Sequence, residues 1–466
     1  MHTMAGPMTA PLPVPDPPRR RARGWLTTWS PILPLLIAEF VVWLGFGALL
    51  PVMPLYFTKH GVDFGTLGVV VAAWPAARLV GEPIFGWLAD RTRRVPLMVV
   101  GNIGAGIFQF LPLVLVGPGA FIALRALQGL STAIYDPAAR GYITDATPPE
   151  RRGEAFGLYG AAQMGGLLLG PAFGGIGAAA FGGISFVFVF GAVSSFVAAG
   201  AIALRVRELA PTGRHSPITA LGSTEFPGGP RPIDDHRDRS GDGAGTGASA
   251  APARLLNRLL IAAILLNIGG NFAAGTYDVV WSLWLSGLGA GVELIGFTFA
   301  MFGLPILLLS PMFGRRADRG GIFVFLLLGS LLPTVAGVLY TFLVDPITAV
   351  PLILVEATGF AMLNPVLFAI VAAGSPIGRS STAQGLYGAA GTIGFVLASL
   401  LAGVLAEANI RLPFYAFAAV MMVCLLLSLA VGGRALAKVG RQQGPGDADV
   451  NDALVPSEGS QTPTIV

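Results

Sequence analysis

The sequence is poorest in cysteine, histidine and charge. Cys424 is the single cysteine, so a disulfide framework and a thiolate metal site are both excluded. The four histidines, His2, His60, His215 and His236, fall in segments read as tails or loops, which leaves no imidazole to relay protons inside an apolar span. Only 12% of the 466 residues are charged, while 54% are hydrophobic. A soluble domain of this size has too little interior to hide that much apolar surface. The net charge of +4 reflects where the arginines sit, and no basic face for nucleic acid is present.

What the sequence does have is long apolar runs. A hydrocarbon core about 30 Å thick takes roughly 20 apolar residues per helical crossing. Twelve stretches qualify, near 31–57, 65–88, 96–116, 120–143, 154–178, 184–204, 256–285, 293–313, 322–343, 347–373, 381–406 and 412–432. Arg19, Arg20, Arg21 and Arg23 precede the first. Arg91, Arg93, Arg94, Arg151, Arg152, Arg205, Arg207, Arg315, Arg316, Arg319, Arg379 and Arg434 fall in every second connection, and the others hold only Lys59 and Arg411. Basic residues in short loops stay on the cytoplasmic side, so both termini are expected in the cytoplasm, with the chain in the cell (inner or plasma) membrane. The first apolar run is long and no small-residue cleavage site follows it, so it reads as a retained span rather than a signal peptide.

Residues 1–24, 206–253 and 435–466 are rich in Pro, Gly, Ser, Asp and Arg without apolar periodicity, the composition of disorder. They divide the chain into an N-terminal bundle over 25–205, a cytoplasmic linker and a C-terminal bundle over 254–434. A constant shift of 228 relates the two groups. Gly157 to Ala162 and Gly385 to Ala390 both read GLYGAA, and Pro83, Phe85, Gly86, Ala89, Asp90 and Arg91 meet Pro311, Phe313, Gly314, Ala317, Asp318 and Arg319. Pro137 likewise meets Pro365, and Pro148 meets Pro376. The expected fold class is therefore an all-α membrane protein, with twelve transmembrane helices in two pseudo-symmetric six-helix bundles that can rock on each other around a midplane site.

The loop after the second stretch reads Gly86-Trp-Leu-Ala-Asp90-Arg91-Thr-Arg-Arg94, with a weaker copy at Gly314-Arg-Arg-Ala-Asp318-Arg319. It resembles the loop 2–3 motif of the major facilitator superfamily, GxLaDrxGrk, with Arg93 in place of the second glycine. Arg125-Ala-Leu-Gln128-Gly129 resembles that family's fourth-helix motif RxxqG. Gly166-Leu-Leu-Leu-Gly170-Pro171-Ala-Phe-Gly174-Gly175 matches its fifth-helix antiporter motif GxxxGPxxGG, and in the second half Ser399 replaces the proline. The resemblance covers about residues 30–433 and implies the major facilitator fold. Its third motif implies proton-coupled drug export of the twelve-span drug:proton antiporter type. It further implies that Asp90 faces the start of the eleventh span and closes the cytoplasmic side, with Asp318 facing the fifth span by symmetry. A carboxylate at a helix N-terminus gains about 0.3–1 kcal/mol. Topology alone would need only the arginines, so Asp90, Arg91 and Arg94 read as a gate motif. The glycines of the fifth span let another helix approach closely, and Pro171 removes one backbone hydrogen bond and bends the span; this motif reads as a hinge or seal.

Charges inside the spans cost a few kcal/mol each and so point to function. In the fourth span Arg125, Gly129, Thr132, Asp136 and Arg140 share one face, a polar stripe along a cavity wall. Glu39, Trp43 and Phe46 share a face of the first span, and Asn267, Asn271 and Asp278 share one of the seventh. The shift maps Glu39 onto Asn267 and Trp43 onto Asn271, and Glu356 of the tenth span onto Gln128. These residues are expected to converge at the midplane. Glu39 is the first candidate for the protonatable group, because proton and cationic substrate can compete for one buried carboxylate and aromatic rings suit a cationic guest. A permanent Glu39–Arg125 bridge is the alternative. Asp136 is expected to pair with Arg140 and Arg78 with Glu82, Asp278 to line the outer vestibule, and Trp281 and Trp284 to anchor at the interface. Glu39, Arg125 and Pro171 lack equivalents in the second half, which places proton coupling in the first.

The expected activity is secondary active export of small amphipathic or cationic compounds by alternating access. Protons, the small-molecule substrate and the lipid bilayer are the partners, the proton gradient replaces any cofactor, and a single chain suffices. A proton-coupled metabolite or sugar symporter, or a lipid flippase, is the alternative on the same fold. A membrane-bound enzyme or receptor ranks below these, since no nucleophile stands beside a base.

Overall fold

The computed structural model describes residues 28–148, 151–181, 183–208, 256–316, 322–375 and 380–442. Among them every regular element is a helix. The first span is Leu33–Leu49 continued by Met53–Lys59, and the second is Phe64–Ala89. The third is Arg94–Phe110 with a 3-10 turn at Leu111–Leu113, the fourth Pro118–Ala146, the fifth Arg152–Ala180 and the sixth Ile184–Arg205. The seventh to twelfth are Arg258–Gly287, Val292–Arg316, Ile322–Tyr340, Ala349–Gly374, Ser380–Ala408 and Leu412–Gln442. Nine of these helices are long and apolar enough to cross a membrane singly, and the bent first pair makes a tenth. The fourth and fifth are not among these: the fourth carries Arg125, Asp136 and Arg140, and the fifth is rich in glycine.

Two boundaries differ from expectation. The first span is not one continuous helix: it breaks at residues 50–52 and bends by 44°, where Pro51 and Pro54 each remove a backbone donor. The twelfth helix runs ten residues past 432, into part of the expected tail, because Leu436 is fully buried against the second-half core. The linker is also fixed at its start. The Glu208 carboxylate accepts from the backbone N–H groups of Arg94 and Val95, at 3.0 Å each, supplying two of the orphan donors at the third helix's N-terminus. Residues 1–24, most of the linker and the chain beyond 442 lie outside the described residues.

The packing repeats itself. In the first half, span one packs on five and six, two on four, and three on four and six; in the second, seven packs on eleven and twelve, eight on ten, and nine on ten and twelve. The halves meet chiefly where two packs on eleven and five on eight. These crossings are backbone-close. A Cβ added to Gly68 would lie 2.4 Å from the Ser399 carbonyl oxygen, and one added to Gly296 would lie 2.4 Å from that of Pro171. Gly403 meets Phe64 as Gly175 meets Val292. Every one of these pairs is related by the shift of 228, so the sequence register is realised as a two-fold axis between the halves.

The apolar core shows which end is closed. One cluster, including Phe57, Leu67, Phe188, Trp281, Trp284 and Phe414, draws on both halves at the end away from the arginine-rich loops. At the arginine-rich end the cores separate into a first-half cluster around Leu35, Tyr135 and Ile143 and a second-half cluster around Leu266, Val366 and Met421. Gly157 and Gly160 of the fifth span, with Gly385 and Gly388 of the eleventh, have open space where a Cβ would be. The cavity between the halves opens toward the arginine-rich loops.

Candidate polar centres between the bundles

Glu39 is fully buried, at 0% exposure, and its oxygens are held by three neutral donors. Trp43 Nε1 donates to Oε1 at 2.8 Å, Gln163 Nε2 donates to the same oxygen at 2.6 Å, and the Tyr135 hydroxyl donates to Oε2 in a short hydrogen bond. Trp43 is one turn along the same helix, whereas Tyr135 and Gln163 come from the fourth and fifth spans. The Tyr159 hydroxyl lies beside the carboxylate. Among the described residues no cation pairs with Glu39, so the alternative of a permanent Glu39–Arg125 bridge is corrected. Arg125 instead donates through Nη1 to Gln128 Oε1 at 2.8 Å and lies over the Trp74 ring at 5.8 Å.

Asp136 also finds a different main partner. Arg78 Nη2 reaches Asp136 Oδ2 at 2.6 Å and Glu82 Oε1 at 2.6 Å, while Arg140 stands at 3.6 Å from Asp136. Arg78 thus ties the second span to the fourth, in addition to the expected Arg78–Glu82 pair. Its guanidinium stacks over Trp74 at 4.9 Å. Trp74 stacks on Phe46, which meets Trp43 edge-on at 5.5 Å. Trp43, Phe46 and Trp74 form a continuous aromatic wall beside Glu39.

A second buried carboxylate lies in the other half. Glu356, 1% exposed, accepts from the Tyr277 hydroxyl at 2.6 Å and the Tyr340 hydroxyl at 2.7 Å. The first half is therefore not alone in burying a carboxylate held by neutral donors. Asp278 does not merely line an outer vestibule: it is partly buried and close enough to Arg125 for their charges to interact across the halves. Trp281 and Trp284 are not interfacial anchors. They are 6% and 4% exposed, pack with Tyr340 and Phe414, and Trp281 Nε1 donates to Thr298 Oγ1 at 3.0 Å.

Asn267 and Asn271 stay in the second half and serve the eleventh span. Asn267 Nδ2 donates to the Tyr387 carbonyl at 2.7 Å, and Asn271 Nδ2 donates to Asn267 Oδ1 at 2.9 Å. Glu39 and Glu356 therefore belong to separate centres in the two halves, whereas Arg125 and Asp278 approach each other across them. Helix geometry explains the separation: the end of each half nearer the arginine-rich loops is splayed from the other, and Glu39 belongs to that part of the first span.

The motif residues have packing roles here. Asp90 ends the second helix and is exposed, and among the described residues no contact joins it to the eleventh span. Arg91 stacks on Trp87 at 4.1 Å, and Arg94 pairs with Asp145 at 2.5 Å. Gly86 and Gly314 face Pro137 and Pro365, again related by the repeat; Asp318 and Arg319 lie outside the described residues. Gly166, Gly170 and Gly174 lie on the backbone of Phe40, Leu44 and Ala48 of the first span, while Gly175 lies on the eighth. The fifth helix runs unbroken through Pro171.

Tyr135, Gln163, Tyr277 and Tyr340 were not singled out from sequence. A polar residue amid an apolar span was the available signal for Gln163. For the tyrosines there was none, since a tyrosine in a span reads equally as core or interface.

Comparison with known proteins fits this architecture. Quinolone resistance protein NorA of Staphylococcus aureus is 29% identical over 132 residues, 28% of this chain and 34% of NorA. Multidrug resistance protein 2 of Bacillus subtilis is 33% identical over 141 residues, 29% of this chain and 34% of that protein. The aligned stretch spans about a third of each relative's length. Among solved structures, a bacterial homologue of the human lysosomal transporter Spinster, inward-facing and occupied, matches with a TM-score of 0.69 at 15% identity, over 91% of this chain and 99% of that one. The nucleoside transporter NupG matches with a TM-score of 0.65 at 13% identity, over 86% and 99%. Those two likenesses speak to the fold. The Major Facilitator Superfamily model matches residues 35–355 and 260–450, and with both six-helix halves inside that match the chain belongs to this superfamily, as an integral membrane transporter and not an enzyme.

Proposed function

We propose that the chain exports small amphipathic or cationic compounds in exchange for protons. The observation that carries this reading is Glu39, a fully buried carboxylate held by Trp43, Gln163 and Tyr135 with no cation paired to it among the described residues. Its negative charge is open to neutralisation by a proton or by a cationic guest, and the aromatic wall of Trp43, Phe46 and Trp74 offers ring faces to such a guest. One site that takes either but not both is the minimum machinery of antiport. The relatives' names, quinolone resistance and multidrug resistance, support the substrate class over the third of their length that aligns.

In this reading the arginine-rich loops are cytoplasmic, both termini lie there, and the described conformation opens to the cytoplasm. The membrane is the cell's inner or plasma membrane. The proton gradient is the energy source, with no cofactor, and one chain with its own cavity works as a monomer.

Inverted vesicles with an acid lumen test the reading. Adding ethidium, an aromatic cation, should alkalinise the lumen in vesicles holding the wild-type chain. Glu39→Gln, present in the membrane at wild-type level, should abolish that exchange. Proton uptake together with substrate into whole cells would overturn the export reading in favour of symport, and full exchange by Glu39→Gln would remove Glu39 as the carrier.

A further inference from the structure

Beside Glu39 the first half holds a small, partly open chamber, walled in part by Trp43, Phe46 and Trp74. Spans one to four line it, with Asn102 and Gln109 from the third and Gln128, Thr132, Tyr135 and Asp136 from the fourth. It offers about 30 Å³ of space for water centres, where one ordered water needs about 10–15 Å³ and two to four polar partners.

Its lining supplies those partners. Trp74 Nε1, Asn102 Nδ2 and Gln109 Oε1 are all buried and have no hydrogen-bond partner among the described residues. Asn102 is 2% exposed and Gln109 4%. Arg125 Nε, on the residue that donates to the chamber's Gln128, is buried and unpartnered too. So many unsatisfied groups around one small space is not how protein interiors are built, and neutral donors and acceptors of both kinds match water better than an ion. The charged groups at the chamber are already committed: Asp136 to Arg78 and Arg140, and Glu39 to its three donors.

We propose that this chamber is a water site, and that its water forms a route for protons between Glu39 and the Gln109–Gln128 end. Tyr135 is the link, because it lines the chamber and donates to Glu39. As Tyr135 Oη takes the carboxyl proton of Glu39 it releases its own to the first water. One proton leaves Glu39, one enters the water chain, and the tyrosine stays neutral. Gln109 is the penultimate residue of the third helix, so the route runs toward the end of the molecule closed in this conformation. The site itself stands on the chamber's geometry, whereas its use for protons rests on the antiport reading.

Hydroxyl-radical footprinting of the full chain in lipid nanodiscs tests it. Radicals made from bound water label the side chains beside it, so Trp74 and Tyr135 should be modified far faster than Phe121, which is equally buried in an apolar cluster. After mixing with ¹⁸O-water that label should exchange slowly. Labelling of Trp74 and Tyr135 no faster than Phe121 overturns the proposal with no variant needed. Gln109→Leu should slow ethidium-driven proton exchange about tenfold, the rate equivalent of one lost hydrogen bond in the chain, with ethidium affinity unchanged. Fast labelling together with an unchanged exchange rate in Gln109→Leu would overturn the proton route. Fast labelling in a wild-type chain that exchanges no protons would leave the water site standing and defeat the antiport reading instead.

Discussion

Single charged residues set the constraints inside this membrane protein, and each is answered differently. Glu39 and Glu356 are buried among hydroxyl, amide and indole donors, whereas Asp136 is answered by a guanidinium. Breaking a buried ion pair by removing one partner costs about 3–5 kcal/mol, because the other charge is left uncompensated. Arg78→Ala should therefore lower the thermal midpoint in detergent strongly, with Arg140 at 3.6 Å softening the loss. Arg78→Ala combined with Asp136→Ala should recover much of it. Additive losses in that double-mutant cycle would show that the two side chains do not interact. The charges themselves were legible in the sequence, since a carboxylate in an apolar run stands out. Their partners were not: Tyr135 and Gln163 lie 96 and 124 residues from Glu39, and only helix packing decides that they meet it.

At the level of elements, helix ends and glycine faces do the placing. Asp63 caps the second helix, accepting from Thr66 N–H at 2.7 Å and from the Thr66 hydroxyl at 2.8 Å. Those donors hold its carboxyl below its ordinary value of 3.8. A carboxyl whose folded value is depressed stabilises the fold above its unfolded value and loses that contribution as pH falls through the folded one. Thermal midpoints measured against pH should thus show Asp63→Ala less stable than wild type at neutral pH, with the gap closing in acid below 3.8. Asp63→Asn, a good cap that cannot titrate, should keep its stability into that range. A gap between wild type and Asp63→Ala that does not change with pH would mean the cap contributes nothing as an anion. The glycine pattern of the fifth span could be read as a close helix contact, but not against which helix. Side chains on the first and eighth spans both fit a small-residue face, and the observed division of Gly166, Gly170 and Gly174 from Gly175 follows from where those spans lie in three dimensions.

Across the whole molecule, the two-fold relation between the halves predicts how they move. The Gly68–Ser399 and Gly296–Pro171 contacts are the symmetric supports on which the closed end rests. Gly68→Leu would put a side chain where a Cβ already lies 2.4 Å from the Ser399 carbonyl oxygen. Overpacking of this kind costs about 1–3 kcal/mol, which shifts a two-state equilibrium by roughly 5–150-fold. With Cys424→Ser as background, spin labels at Gly160→Cys and Gly388→Cys should report a shorter distance in Gly68→Leu than in Gly68, as the arginine-rich end closes. Unchanged distances and an unchanged thermal midpoint would show that this crossing does not bear on the equilibrium.

Apolar length, arginine placement and the register of 228 are one-dimensional properties, so the sequence alone determined the spans, the halves and their symmetry. It also marked Glu39, Asp136 and Glu356 as costly charges, because the cost of burying a carboxylate depends on its surroundings being apolar and little on their arrangement. Tertiary structure decided everything that depends on which helix faces which. It assigned Arg78 to Asp136, gave Glu39 neutral donors instead of Arg125, and kept Asn267 and Asn271 with the eleventh span. It also decided that Asp90 is exposed at the splayed end, since a gate between two rigid halves is closed in one arrangement of the same sequence and open in the other.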